Sequence, residues 1–312
     1  MSVKSDLNKL YLYRLIANRW HQRVVKKNPR AEMERYYQMV FNRKPDIDKP
    51  KDLLEKIYWL TLYSDTSLWT ICADKYKMRE YVQKCGLADY LPKLFAKWDK
   101  AEDMDFEILP NEFILKTNNG CANNIIVRDK SIVNVTKIRK IFRRELNLPF
   151  GYSGAQLHYT KINPCIIAEE LLHQGKDLDS ISPMSLIDYK IWCFGGRPYY
   201  IWGVYNRTSD GMGMFLYDTQ WNPHPEFLVE MPDSHYDPSV KIPKPECLGQ
   251  MLEMAAILAK PFPQVRVDVY NIEGKPIIGE LTFTTGYGYL SKELYLEMGQ
   301  LIDLSKVKKI NS

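Results

Sequence analysis

The 312-residue chain is poor in the side chains from which common catalytic centres are built. It has five histidines and six cysteines, and Cys72, Cys85, Cys121, Cys165, Cys193 and Cys247 form neither a C-x-x-C pair nor a cluster with histidine. That excludes a zinc ribbon and a disulfide framework and fits a reduced, cytoplasmic interior. Charged residues interrupt every apolar stretch, so no run approaches the ~20 residues a bilayer span needs. The first thirty residues contain no uninterrupted apolar core and no small-residue cleavage site, so no secretory leader is expected. G-x-x-x-x-G-K-[ST], a strand-linked G-x-G-x-x-G, H-E-x-x-H and G-x-S-x-G are all missing. Walker-type, Rossmann, zincin and hydrolase-elbow chemistry therefore lack their motifs.

What is present is an ordinary globular composition, 45% hydrophobic and 26% charged, which excludes disorder and sets an expectation of about two folding units. The net charge of +5 is unevenly placed. Eight Lys/Arg against one Asp give the first thirty residues +7, so the remainder is slightly acidic. A protein that neutralises many phosphates spreads its basic residues over the docking face, so nucleic acid is not an expected partner.

Leu7, Leu10, Leu12, Leu15, Ile16 and Trp20 recur at near-helical spacing, and residues 52–60 form a second amphipathic run after Pro50. The reading is a helical segment over residues 1–70. Residues 74–82 predict a further helix with Asp74 near its N-cap and Gly86 past its end. Short strands then dominate: 113–116, 125–128 and 165–169, with a helix over 138–146. Hairpin signals centre on Gly195-Gly196 and Glu273-Gly274, with a helix over 245–260 between them. Hairpins mixed with connecting helices predict an α+β fold with largely antiparallel sheets, its body divided at 71–164 and 165–312.

Three constellations carry chemistry. Lys116 closes a strand, and Thr117, Asn118, Asn119 and Gly120 follow it in a loop whose backbone N–H groups, with the lysine, suit polyphosphate. An ordinary Asn-rich turn accounts for the same residues. In the second, Val265-Arg266-Val267-Asp268-Val269-Tyr270 alternates, placing Arg266, Asp268 and Tyr270 on one face. With a three-residue turn, Asp268 faces Glu280 across the ladder, and two such carboxylates suit a hard cation such as Mg²⁺ bridging to phosphates. Glu280 stands among Ile277, Ile278, Leu281 and Phe283, where an unpaired carboxylate would be costly. The third is the strand end at Glu169 and Glu170, with Asp188 further on, suited to an adenine edge and ribose hydroxyls. Solvated strand-end charges explain it equally well.

In order and spacing these pieces resemble the ATP-grasp superfamily, and more closely its TupA-like group, over about residues 65–286. The resemblance rests on residues 73–82, Phe113 through Gly120, Asp188-Tyr189-Lys190 with Cys193-Phe194-Gly195-Gly196, and residues 265–270 with Gly279-Glu280-Leu281-Thr282-Phe283. It implies an ATP-grasp fold of two α+β lobes holding ATP between antiparallel sheets. It also implies roles: Lys75 and Lys116 on the phosphates, with residues 117–124 as a flap; Glu169, Glu170, Leu171 and Leu172 as the adenine hinge. Asp188 falls to the ribose, with Lys190 in the nucleotide-binding set. Asp268 and Glu280 become Mg²⁺ ligands and Arg266 the stabiliser of a phosphorylated intermediate. Thr282 stands where the family carries an asparagine metal ligand, which puts a second metal in question.

The implied activity is a ligase that joins a carboxylate to an amine through an acyl phosphate, in bacterial surface polysaccharide synthesis. A sugar nucleotide or lipid-linked glycan is a candidate substrate carrier. A glycosyltransferase and a non-catalytic ATP-binding protein are the competing readings. Arg207, Asp210, Tyr217, Trp221 and His224 suit sugar or carboxylate recognition, and equally a self-packed surface loop. The basic N-terminal helix offers a peripheral contact with an anionic membrane surface.

Overall fold

The computed structural model describes residues 3–120 and 124–310, with side chains from Leu10 onward. Cys121 and the two residues after it, in the expected phosphate flap, lie outside the described residues. The chain opens with α1 (Val3–Lys27), α2 (Pro29–Phe41), α3 (Leu53–Tyr63), α4 (Ser67–Ala73) and α5 (Met78–Lys84). Next come β1 (Leu94–Trp98), β2 (Phe113–Thr117), β3 (Ile125–Val127), α6 (Val135–Leu146) and β4 (Ile166–Glu169). The remainder is α7 (Lys176–Ile181), β5 (Asp188–Phe194), β6 (Arg197–Tyr205), β7 (Met212–Asp218), β8 (Ser234–His235), α8 (Leu248–Ala259), β9 (Gln264–Ile272), β10 (Lys275–Thr282) and α9 (Lys292–Gln300). The α+β expectation stands. The fold divides into two compact units. One comprises Met1–Lys44, Thr66–Lys77 and Lys93–Leu171, the other Pro45–Asp65, Met78–Pro92 and Leu172–Ser312, so the opening helices are shared between them.

The first unit is built on an antiparallel sheet of order β1-β4-β2-β3. Phe113 and Leu115 of β2 alternate inward with Ile166 and Ala168 of β4, and Ile138 and Phe142 of α6 complete that core. Alternation then leaves Lys116 and Glu169 on the opposite face. Asn28 separates α1 from α2: its side chain accepts from the Ala31 N–H, and Pro29 at the first helical position needs no such partner. Within the helical segment read over residues 1–70, α2 was not distinguished as a separate helix, its apolar positions being interleaved with Arg and Glu.

The second unit holds a six-stranded sheet of order β10-β9-β5-β6-β7-β8, antiparallel except for the parallel β7–β8 pair. Val265, Val267 and Val269 of β9 are buried on one face, as are Ile191 and Cys193 of β5 and Ile201 of β6. Packed against these three strands, α8 contributes buried Leu248, Met251 and Ala255. The other face carries Asp188, Lys190, Trp192, Arg266 and Asp268, paired by the register Asp188↔Tyr270, Lys190↔Asp268 and Trp192↔Arg266.

The β9–β10 hairpin corrects one expectation. Its turn has two residues, Glu273 and Gly274, both at positive φ (51° and 82°), between the Ile272↔Lys275 pair. This is the type I′ geometry that suits the strands' right-handed twist. On that register alone Asp268 would oppose Gly279. A bulge at Gly279 shifts the ladder by one residue and brings Glu280 opposite Asp268. A Cβ on Gly279 would lie 2.9 Å from the Tyr270 ring and 3.3 Å from the Asp268 carbonyl, so the close approach requires glycine. The helix expected from Asp74 also begins later, at Met78; Asp74 instead closes the intervening turn by accepting from the N–H groups of Tyr76 and Lys77 at 2.9 and 3.2 Å.

Gly279→Val is therefore expected to cost about 1–3 kcal/mol in urea unfolding. Gly249→Ala, at an exposed position in α8 with open space around it, is expected to add about 0.5 kcal/mol.

Candidate active site

In the second unit, alternation along β9 and β5 gathers the charged side chains on the face away from α8. Asp268 is 2% exposed. Its carboxylate accepts two parallel bonds from Arg266, Nε to Oδ1 and Nη2 to Oδ2, both 2.7 Å, and a third on Oδ2 from Lys190 Nζ at 2.7 Å. Lys190 also donates to Asp188 Oδ2, so one ammonium joins two buried carboxylates. Arg266 extends the network to Thr285 Oγ1 at 2.5 Å and Thr282 Oγ1 at 3.2 Å, and it lies 3.9 Å from Glu280 Oε1. Its guanidinium is 5.9 Å from the ring centres of both Trp192 and Trp202.

Burial alone would lower the pKa of Arg266, but Asp268, then Glu280 and Asp188, hold it above its ordinary value. Burial pushes Asp268 up, and Arg266 and Lys190 pull the other way. The Asp188 charge and burial together hold the Tyr270 phenol well above its ordinary range, so it stays neutral beside the carboxylates. Asp188 Oδ1 is buried without a hydrogen-bond partner. The Glu280 side chain is 35% exposed, more open than its apolar neighbours in the sequence suggest. Thr282 Oγ1 is 3.5 Å from Glu280 Oε1.

In the first unit, Lys116 Nζ donates to Glu169 Oε2 at 2.9 Å, an ion pair largely removed from solvent. Lys75 Nζ donates to the Gly120 carbonyl at 2.6 Å, which ties this lysine to the loop after β2. Asn118, expected among the phosphate-contacting residues, spends its polar groups inside the protein. Its Nδ2 donates to the Asn163 carbonyl, its Oδ1 accepts from the Cys165 N–H, and its own N–H and C=O meet Cys165 and Lys75. Its carbonyl thereby fixes the backbone of Lys75. Thr117 and Asn119 are buried beside it. Burial and the nearby Asp74 charge push the Cys165 thiol up to about 12, so it is no nucleophile. Glu170 exchanges bonds with the Lys93 backbone, continuing the β1–β4 pairing, and the division between the two units falls between Leu171 and Leu172.

The profile of the TupA-like ATP-grasp family matches residues 55–303. The chain belongs to that family. No curated protein matches it. Among solved structures, it is similar to D-alanine–D-alanine ligase from Bacillus anthracis, complexed with ATP, at 14% identity over 77% of this chain and 67% of that one, with TM-score 0.48. It is also similar to biotin carboxylase from Campylobacter jejuni (12% identity, 80% and 50% of the two chains, TM-score 0.42) and to the ATP-grasp ligase PsnB (12%, 71% and 52%, TM-score 0.36).

Some members of the buried charged cluster went unread. Thr285 lies beyond the end of β10, where no periodicity reaches, and Trp192 and Trp202 enter only through the cross-strand register. Of the residues weighed for substrate recognition, Arg207 reaches to 3.9 Å from Asp188, while Tyr217 and Trp221 stack on each other with ring centres 4.3 Å apart.

Lys190→Met would leave Asp188 and Asp268 without their shared cation, at an expected cost of about 3 kcal/mol at pH 8. Burial raises the Asp268 pKa and Lys190 is one of the charges that oppose it, so without Lys190 its folded-state pKa rises further and the folded variant binds protons more tightly than the unfolded chain. Its stability deficit should accordingly shrink as pH falls from about 8 to about 5, measured by urea unfolding at each pH. A deficit independent of pH would show that Lys190 does not compensate these charges.

Proposed function

We propose that this chain is an ATP-dependent, Mg²⁺-requiring ligase that activates a carboxylate as an acyl phosphate and passes the acyl group to an amine, leaving an amide, ADP and phosphate. The observation that carries the reading is the buried Arg266–Asp268–Lys190 cluster with Glu280 and Thr282 beside it, in a chain of the ATP-grasp family.

The donor set fits Mg²⁺. Asp268, Glu280 and Thr282 offer only oxygen, and the unpartnered Asp188 Oδ1 adds negative charge close by. Among the described residues, no three carboxylate, imidazole or thiol groups converge to enclose a metal by themselves. A partial shell of this kind suits an ion that keeps water and phosphate oxygens as ligands. Bound there, Mg²⁺ supplies charge neutralisation to the phosphoryl groups.

The chain's own residues do the rest by position and charge. Lys75 and Lys116 bring ammonium groups to the phosphates, with the backbone of Asn119 and Gly120 beside them. Glu169, Glu170, Leu171 and Leu172 line the adenine. Asp188 holds Lys190 through one oxygen and leaves the other for a nucleotide hydroxyl. Arg266, kept charged by Asp268, stabilises the negative charge that develops as the carboxylate is phosphorylated. This chemistry needs no side-chain nucleophile. The substrates favoured are a sugar acid or amino acid and an amine used in surface polysaccharide synthesis, carried on a sugar nucleotide or a lipid-linked glycan.

Incubation with Mg·ATP and pools of uronic acids, amino acids and amines should give acceptor-dependent ADP and a product lighter than its two precursors by one water. UDP-sugar consumption without ADP would replace this reading with a glycosyltransferase. Glu280→Gln is expected to leave the far-UV spectrum unchanged and to reduce ADP formation to below about 1% of wild type; normal turnover by the folded variant would remove Glu280 from the metal site.

A further inference from the structure

The longest helix of the first unit leaves one of its faces uncovered. α1 is fixed to the unit along one side: Val25 is buried, Arg14 makes two bonds to Glu145 at 2.8 and 3.0 Å, and His21 meets Glu32 at 3.0 Å. The Arg144 guanidinium lies 5.0 Å from the Tyr11 ring centre. On the other side, Leu12, Ile16 and Trp20 follow at intervals of four and are 54%, 61% and 52% exposed, with Tyr13 beside them at 72%. Arg19, Arg23, Lys26 and Lys27 are also exposed and continue the same face toward the C-terminal end of the helix. Between Leu10 and Lys27 there is no acidic residue. Alongside, a cleft of about 660 Å³ between α1 and α6 has Lys137, Lys140 and Arg144 in its wall.

We propose that this face of α1 docks on an anionic phospholipid surface. Each part of the stripe has a counterpart there. Leu12 and Ile16 reach the acyl boundary, Trp20 and Tyr13 sit at headgroup level, and the basic residues meet lipid phosphates. A second copy of the chain is the poorer fit. A two-fold interface sets a face against itself, which would bring together the cations of a stretch, Leu10 to Lys27, that holds no acidic residue. Nucleic acid would answer the charges and leave the apolar stripe in water. The assignment does not rest on the ligase reading; it would bring the chain to the surface where a lipid-linked substrate resides.

The test is sedimentation of the full chain, without nucleotide, with vesicles of phosphatidylcholine containing about 30% phosphatidylserine, and with phosphatidylcholine alone, in about 0.1 M salt. Binding to the anionic vesicles only, released at about 0.5 M salt, is expected. Replacing Arg19, Arg23 and Lys27 together by glutamine should weaken it by about 10²-fold. Replacing Leu12, Ile16 and Trp20 together by serine should weaken it at least ~10-fold while the chain stays folded, since all three side chains are more than half exposed. Equal failure to bind both vesicle types, or wild-type binding by both folded variants, overturns the proposal. So does a solution dimer that the same substitutions dissociate and that ignores vesicles, which would assign the face to a second copy. Because no nucleotide is present, none of these outcomes bears on whether the chain hydrolyses ATP.

Discussion

The second unit is organised around a carboxylate that has lost its water. Asp268 sits on a central strand, 2% exposed, and an ionised carboxylate so placed is tolerable only when its oxygens are occupied and its charge is answered. Arg266 answers it from two positions earlier on the same strand, in the bidentate geometry that a guanidinium fork allows and an ammonium does not. Lys190 answers it from the neighbouring strand, and only because the β5–β9 register makes the two residues direct partners. A slip of β9 by one residue would send Arg266 and Asp268 to the α8 side and its valines to the other. The valine face of β9 and the charged face thus enforce the same register.

Such a cluster is not an economical way to stabilise a sheet. Well-packed apolar residues of similar volume do as well or better than a buried ion pair, whereas removing one partner of a pair is costly. The presence of Asp188, Lys190, Arg266 and Asp268 in one buried cluster is therefore better accounted for by the proposed chemistry than by stability, as is the shifted ionisation of Arg266 and Tyr270 around them. In the first unit, Lys116 pairs with Glu169 and Lys75 donates to the Gly120 carbonyl, bonds that a phosphate oxygen is suited to replace.

Local pattern was the legible part. The V-R-V-D-V alternation, the Gly195-Gly196 and Glu273-Gly274 turns and the apolar stripe of α8 each depend on residues within a few positions of one another, and each appears where it was read. The Asp268–Glu280 pairing was read with the right partners and the wrong device: the turn is one residue shorter than assumed, and the bulge at Gly279 restores the match. A turn signal does not count bulges, and an isolated glycine in a strand is the only trace one leaves. Asn118 illustrates what stayed hidden. Its amide is consumed by backbone groups 45 and 47 residues away, so nothing near it in the sequence separates a scaffold from a ligand.

Charge has two different uses in this chain, and ionic strength separates them. In the Asp188–Lys190–Asp268–Arg266 cluster each charge is compensated within hydrogen-bond distance and shielded from mobile ions, so the field it produces is local and nearly independent of salt. Along α1 most of the exposed cations have no acidic neighbour on the helix, lie in water and sum to a field that extends about a Debye length, ~8 Å at physiological salt, before it is screened. In the functions proposed for them, the first arrangement holds a reacting group in place and the second attracts a surface. The overall charge of +5 conceals this division because the cluster contributes almost nothing to it, and the excess belongs to a helix whose apolar and basic residues share one exposed face.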